Sequence, residues 1–166
     1  MRRHAALLTA LVATTLACCA HSGTRDLADT APPDAVSHFP ERFPNVYLGM
    51  PMAEWRATHP DAPPAEAGTF DFRIVVVEPQ PVPGVEEVTW YFDTDLPGQP
   101  LYEAIVDYGS NAAGRTRAIE ALGPSEGARP QWQYATSMGY PVRVWAFSTK
   151  IVVAAGMPGT EWDGEW

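Results

Sequence analysis

Phe70-Asp71-Phe72-Arg73-Ile74-Val75-Val76-Val77 and, after a proline-rich break, Glu87-Val88-Thr89-Trp90-Tyr91-Phe92 decide the fold. Both runs repeat with a period of two, the period of a strand that buries one face. Phe70, Phe72, Ile74 and Val76 share a face in the first run; Val88, Trp90 and Phe92 point inward in the second. Residues 78–84, between them, hold three prolines and a glycine and read as a turn or longer loop.

Further along the chain, residues 101–108 make a third strand, with Tyr102, Ala104, Val106 and Tyr108 on one side and Glu103 and Asp107 on the other. Ser110-Asn111 then offers a cap for a helix from Ala112 to Leu122, whose apolar stripe is Ala118, Ile119 and Leu122, and Gly123-Pro124 ends it. Three more strands follow at residues 131–135, 142–147 and 151–155, the last two flanking the hairpin signal Ser148-Thr149-Lys150. Towards the N-terminus, Val46-Tyr47-Leu48-Gly49-Met50 leads into a short helix. Pro51 suits its first position, Pro60 stops it, and Met52, Trp55 and His59 share one of its faces. The order is helix, three strands, helix, three strands. It predicts an α+β fold: a six-stranded antiparallel sheet from two α-β-β-β units, with the helices on one face.

The beginning of the chain is of another kind. Arg2-Arg3 precede an apolar run from Ala5 to Ala13, the layout of an export signal and too short for a membrane span, which needs about 20 apolar residues. Residues 20–40 carry Ser, Thr, Asp and Ala-Pro-Pro without apolar periodicity and read as a tether. The predicted organisation is therefore a signal at 1–18, a tether at 19–42 and a single α+β domain at 43–166. Apolar residues are 46% of the chain, enough for a core in a domain of this size. The formal charge is −9; loss of Arg2 and Arg3 with the signal leaves nine basic residues against 20 acids, or −11. Such a chain repels nucleic acid and anionic lipid, so neither is an expected partner.

The end of the signal, Leu16-Ala17-Cys18-Cys19, resembles the lipobox of bacterial lipoproteins. One register has the preferred Leu and Ala and lipidates Cys19; the other, Thr15-Leu16-Ala17-Cys18, has the small residue before the cut and lipidates Cys18. The first is favoured. A plain signal cut near Ala20, or an uncleaved anchor, is the alternative. Lipidation implies a domain held at a membrane by acyl chains. Neither cysteine is followed by Asp, which by resemblance to the sorting rule of enteric bacteria implies the outer membrane, with the domain in the periplasm. The inner membrane's outer leaflet and the cell surface are the alternatives. Leu48-Gly49-Met50 ahead of a short helix, a meander and a second such unit resemble small envelope lipoproteins of the SmpA/OmlA type and the related β-lactamase-inhibitor-like fold. That resemblance implies a non-catalytic module that binds an envelope protein.

Chemistry-bearing patterns are few. Both cysteines lie at the processing site, so the domain has no thiolate, disulfide or Cys-ligated metal. His59 is the only histidine after residue 42 and no Gly-x-Ser-x-Gly elbow exists, which disfavours a triad and a zinc site. Asp93-Thr94-Asp95-Leu96-Pro97-Gly98 has Asp at calcium-loop positions one and three, but Pro97 and Ala104 stand where ligands five and twelve belong. It reads as a turn whose aspartates bond local N–H groups. Glu86/Glu87 and Glu103/Asp107 have the residue types for glycoside hydrolysis, yet read as solvated strand faces. No cofactor, metal or catalytic residue is expected. Trp90, Phe92 and Trp145 are core by preference. Tyr91 or Trp132 on an uncovered sheet face, with Trp162 and Trp166 on an acidic tail, form the expected interaction surface. The expected function is a tethered binding or structural module; a small carboxylate-based envelope hydrolase and a small-ligand carrier are the alternatives.

Overall fold

The computed structural model describes residues 38–41, 43, 45–125 and 129–165. Cys18 and Cys19, with the whole signal and most of the tether, lie outside the described residues, as does Trp166. The elements run α1 (Met52–Thr58), β1 (Glu66–Ala67), β2 (Arg73–Pro79), β3 (Glu87–Asp93), β4 (Leu101–Asp107), α2 (Ala112–Leu122), β5 (Gln131–Tyr134), β6 (Val142–Ala146) and β7 (Lys150–Ala155). The strands form one antiparallel sheet in the order β1-β2-β3-β4-β7-β6-β5. It has seven strands where the pattern predicts six. The addition is β1, two exposed residues paired with Ile74 and Val75. Two residues cannot display a period.

Local chemistry sets the ends of the helices. Asn111 caps α2: its side-chain oxygen accepts from the Gly114 N–H at 3.0 Å, and its amide donates to the Gly84 carbonyl at 2.8 Å. Gly123 closes the helix with φ of +81°, a conformation open to glycine. In α1, Pro51 is the capping residue in extended conformation, one position earlier than its spacing predicts.

Register then separates the two faces. Val76, Trp90, Ala104, Val153, Val144 and Trp132 lie in one row across β2, β3, β4, β7, β6 and β5, all buried. Trp55 of α1 packs on this row, 5.7 Å from Trp90 and 5.4 Å from Phe92 between ring centres. At the other end, Trp132 and Tyr134 donate to the carbonyls of Gly123 and Leu122 where α2 ends. Both helices thus cover the same face. So does the entry segment: Phe39 is buried, and Phe43 meets Trp90 edge-on at 5.1 Å. The packed domain therefore includes Phe39, earlier than the boundary at 43 read from the sequence. An isolated Phe beside Pro40 carries no periodic signal.

Three further differences follow from register. Trp132, expected on an uncovered face, is 4% exposed on the covered one, since the solvent side of β5 belongs to Gln131 and Gln133. Trp145 is not core; it shares the opposite face with Arg143, because Val142, Val144 and Ala146 fill the covered side of β6. The strand expected from Phe70 is β2, which begins at Arg73, so Phe70 and Phe72 stand before it, stacked on each other at 5.5 Å.

Leu48-Gly49-Met50 ties the entry segment to the sheet. Gly49 N–H donates to the Leu101 carbonyl at 2.7 Å and Leu101 N–H donates to the Met50 carbonyl at 2.8 Å, while Leu48 and Met50 are buried. Gly49 has φ of +86°, and a Cβ there would stand 2.7 Å from the Tyr140 hydroxyl, which donates to the Leu48 carbonyl. Backbone strain in the left-handed region and this collision add. Gly49→Ala is expected to lower the unfolding free energy by about 2 kcal/mol, read by urea titration; a loss under about 0.5 kcal/mol contradicts the account.

Candidate functional site

The uncovered face is built from the alternate residues of the same strands. One row runs Val75, Tyr91, Glu103, Ala154, Arg143 and Gln133; the next runs Val77, Thr89, Ile105, Val152, Trp145 and Gln131. Strict alternation would turn Tyr102 away from Glu103. The pairing instead slips between Tyr91 and Phe92, which face Glu103 and Leu101, leaving Tyr102 as the extra residue of a β-bulge. Leu101 remains in the core, and the Tyr102 hydroxyl joins the polar groups around Glu103.

Those groups come from β2, β4 and the tail that follows β7. Arg73 donates through Nε to the Tyr102 hydroxyl at 2.9 Å and pairs through Nη2 with Glu161. Its guanidinium also lies 4.9 Å from the centre of the Tyr91 ring and 5.0 Å from that of Phe70. The Tyr102 hydroxyl donates to the same Glu161 oxygen at 3.1 Å. Beside it, the Trp162 indole N–H donates to Glu103 Oε2 at 3.0 Å, and the Trp162 ring meets Trp145 at 5.3 Å, tilted by 41°. Arg143 stacks over Trp145 at 5.4 Å. Glu103, Arg143, Trp145, Phe147, Val152 and Trp162 line an open, mostly apolar groove of about 450 Å³.

Glu103 is 7% exposed. Burial pushes its carboxyl up to about 7, outweighing the indole N–H and Arg73, which favour the charged form, while Glu161 adds to the rise. Burial likewise raises Tyr102 and Tyr91, with Glu161 adding at Tyr102 and Glu103 at Tyr91. A carboxyl that titrates near neutrality has the proton affinity of a general acid or base. A second carboxyl, Glu161, stands beside it and shares a hydrogen bond with it. Asp107, four residues along β4, is about 13 Å away by strand rise and bonds Lys150 at 3.1 Å and the Gly109 N–H at 2.9 Å. Glu161 is held by Arg73 and Tyr102, and Trp162 covers Glu103.

The expected interaction residues divide accordingly. Tyr91 stands on the open face beneath Arg73, and Trp162 lies over that face, half-buried. Trp132 is on the other side, and Trp166 is outside the described residues. Sequence reasoning missed Arg73, Trp145 and Glu161, and read Glu103 as solvated. His59 is stacked on Trp55 at 4.4 Å, with Nδ1 3.0 Å from the Trp55 carbonyl, a packing role. Asp93 accepts from the Asp95 N–H at 2.9 Å, the local turn read from the sequence. Among the described residues, no group of three His, Cys, Asp or Glu side chains could hold a metal ion. The chain matches no protein-family model, curated protein or solved structure with which it was compared.

The raised Glu103 pKa sets a pH dependence. The folded state holds this proton more tightly than the unfolded chain, whose carboxyl titrates near 4.5. Its contribution is fully present below about pH 4.5 and is lost as pH rises through about 7. Glu103→Gln keeps an oxygen for the Trp162 N–H and removes the ionisation. The variant is expected to melt about 5 °C above the parent at pH 8.5 and close to it at pH 5, by calorimetry. A variant equally destabilised at both pH values contradicts the assignment.

Proposed function

We propose that the protein is a membrane-tethered envelope lipoprotein whose domain is a non-catalytic module that binds another envelope protein through the open face of its sheet. The observation that carries this reading is the row Val77, Thr89, Ile105, Val152 and Trp145. The solvent side of a one-sided antiparallel sheet is ordinarily polar; here four of five central positions are apolar. Val77 is 43% exposed, and Phe147, next to Trp145 at the groove, is 51% exposed. Ile105, Val152 and Trp145 between them are half-buried, and apolar surface with aromatic side chains is the composition of an interface core. The lipobox-like Leu16-Ala17-Cys18-Cys19 and the tether support a domain held at a membrane, and the absence of Asp after either cysteine favours the outer one. Among the described residues, no helix is long and apolar enough to cross a membrane. The layout resembling SmpA/OmlA-type lipoproteins supports the same class of function.

A second reading, a small carboxylate-based hydrolase, draws on Glu103, whose carboxyl titrates near neutral pH. The covering Trp162 and the engaged Glu161 weigh against it, because a substrate would need both carboxyls within reach.

Two experiments test the proposal. A photoreactive amino acid at Val77 or Phe147, irradiated in intact cells, is expected to give one discrete cross-linked product. The same group at Ala113, on the exposed side of α2, gives none, and Val152→Asp removes the product. Equal products from position 113, or none from 77 and 147, overturn the interface. For the tether, labelled palmitate is expected in the wild-type chain and absent when Cys18→Ser and Cys19→Ser are combined; label that survives both changes overturns lipidation.

A further inference from the structure

The tail after β7 is attached to the sheet in an unusual way. Its backbone leaves the ladder at Gly156, whose N–H donates to the Pro141 carbonyl. Beyond that point, its described backbone bonds close within the tail: Thr160 to Met157, Asp163 to Thr160 and Glu165 to Trp162. The outer part of the tail is held to the strands by two consecutive side chains. Glu161 takes Arg73 and Tyr102, and Trp162 gives its N–H to Glu103 while its ring meets Trp145. We infer that the surface formed by Arg73, Tyr102, Glu103 and Trp145 is a recognition site for a peptide segment of a partner protein in which a carboxylate residue directly precedes a tryptophan, and that Glu161-Trp162 occupies this surface in cis until such a segment displaces it.

Three observations carry the inference beyond simple packing. The receiving half belongs to the strands and is preorganised: Arg73 lies on Tyr91 and is bonded to Tyr102, and Arg143 lies on Trp145. A guanidinium for the carboxylate, a carboxyl oxygen for the indole N–H and a ring for the indole face are the complement of a Glu-Trp pair. The arginines of this face also suit a carboxylate: Arg73 holds Glu161 and Arg143 lines the adjoining groove, while Lys150 is paired with Asp107 at 3.1 Å. Finally, Glu165-Trp166 repeats Glu161-Trp162 after two residues, so the tail carries the docking pair twice. The inference rests on the binding-module reading and names the chemistry of the partner segment.

The cis pair competes at high effective concentration, so a peptide should bind far better to a chain whose own pair is removed. The probe is acetyl-Gly-Thr-Glu-Trp-Asp-Gly-amide, titrated by calorimetry into the full chain and into the full-chain variant combining Glu161→Ala and Trp162→Ala. Saturable binding to the variant is expected below about 1 mM, at least about tenfold tighter than to the parent. A peptide with Ala for its Trp, or the further change Arg73→Ala in the protein, should weaken it at least about tenfold. No saturable binding to the folded variant overturns the inference.

If the double variant does not fold, the parent chain is titrated while the Trp162 indole N–H resonance is followed. Its displacement by the peptide, and not by the Ala control, supports the inference; an unmoved resonance at several mM overturns it. Concentration-dependent dimerisation of the vacated variant, abolished by Trp166→Ala, assigns the groove to the tail of a second copy and overturns the assignment to another protein. Failure of the peptide with cross-links at Phe147 retained removes this inference alone; loss of both removes the binding module.

Discussion

The antiparallel pairing of β4 with β7 is the contact on which the rest of the sheet depends. Five residue pairs, from Glu103–Ala154 to Asp107–Lys150, join a meander of four strands to one of three. The pairing brings Ala104, Val106, Ile151 and Val153 together at the middle of the covered face, all fully buried. A helix of seven residues, another of eleven and the segment around Phe39 and Phe43 close that face. The described chain has no further element for the opposite one. Among the described residues, the tail covers part of it, reaching Glu103 and Trp145 and leaving Val77 and Phe147 to solvent.

The same pairing places a carboxylate residue where it is costly. Glu103 lies in the central strand, buried by Trp162 above and by its strand neighbours at the sides. A buried carboxyl resists ionisation, and Glu103, with Glu161 beside it, does so until near pH 7. A hydrophobic residue there would serve packing at least as well. Retaining the carboxyl gives the groove an acceptor that selects a donor-bearing ring, which is the role assigned to it. The bulge at Tyr102 completes the site by supplying a hydroxyl to the Arg73–Glu161 pair.

Much of the fold was legible. Alternation located β3 and the strands from β4 to β7, and capping chemistry fixed α2 from Ala112 to Leu122 because Asn111 and Gly123 act locally. The α+β class and the antiparallel sheet follow from the order of those elements. The site was less legible because it depends on face and register. Preference for burying tryptophan places Trp145 in the core, yet three small apolar residues on the other side of β6 outweigh it. The two glutamines flanking Trp132 do point to its buried orientation, a signal that the general expectation of an aromatic surface obscured. A bulge leaves no mark in Leu101-Tyr102-Glu103, and Glu103 read as a solvated strand residue because its cover, Trp162, comes from 59 positions along the chain. Glu161 and Arg73 are 88 positions apart, and only the fold unites them. The repeated Glu-Trp of the tail was visible and is the one sequence signal that points to the site.

The measurement that reaches the centre of this account is an NMR pH titration of the Glu103 side-chain carboxyl carbon, with the Trp162 indole N–H followed in the same samples. The account predicts a midpoint near 7, shared by both resonances, because one buried carboxyl accepts that indole. A Glu103 midpoint near the ordinary 4.5, with Trp162 unresponsive, would show that the tail does not cover the carboxyl and would contradict the site as described.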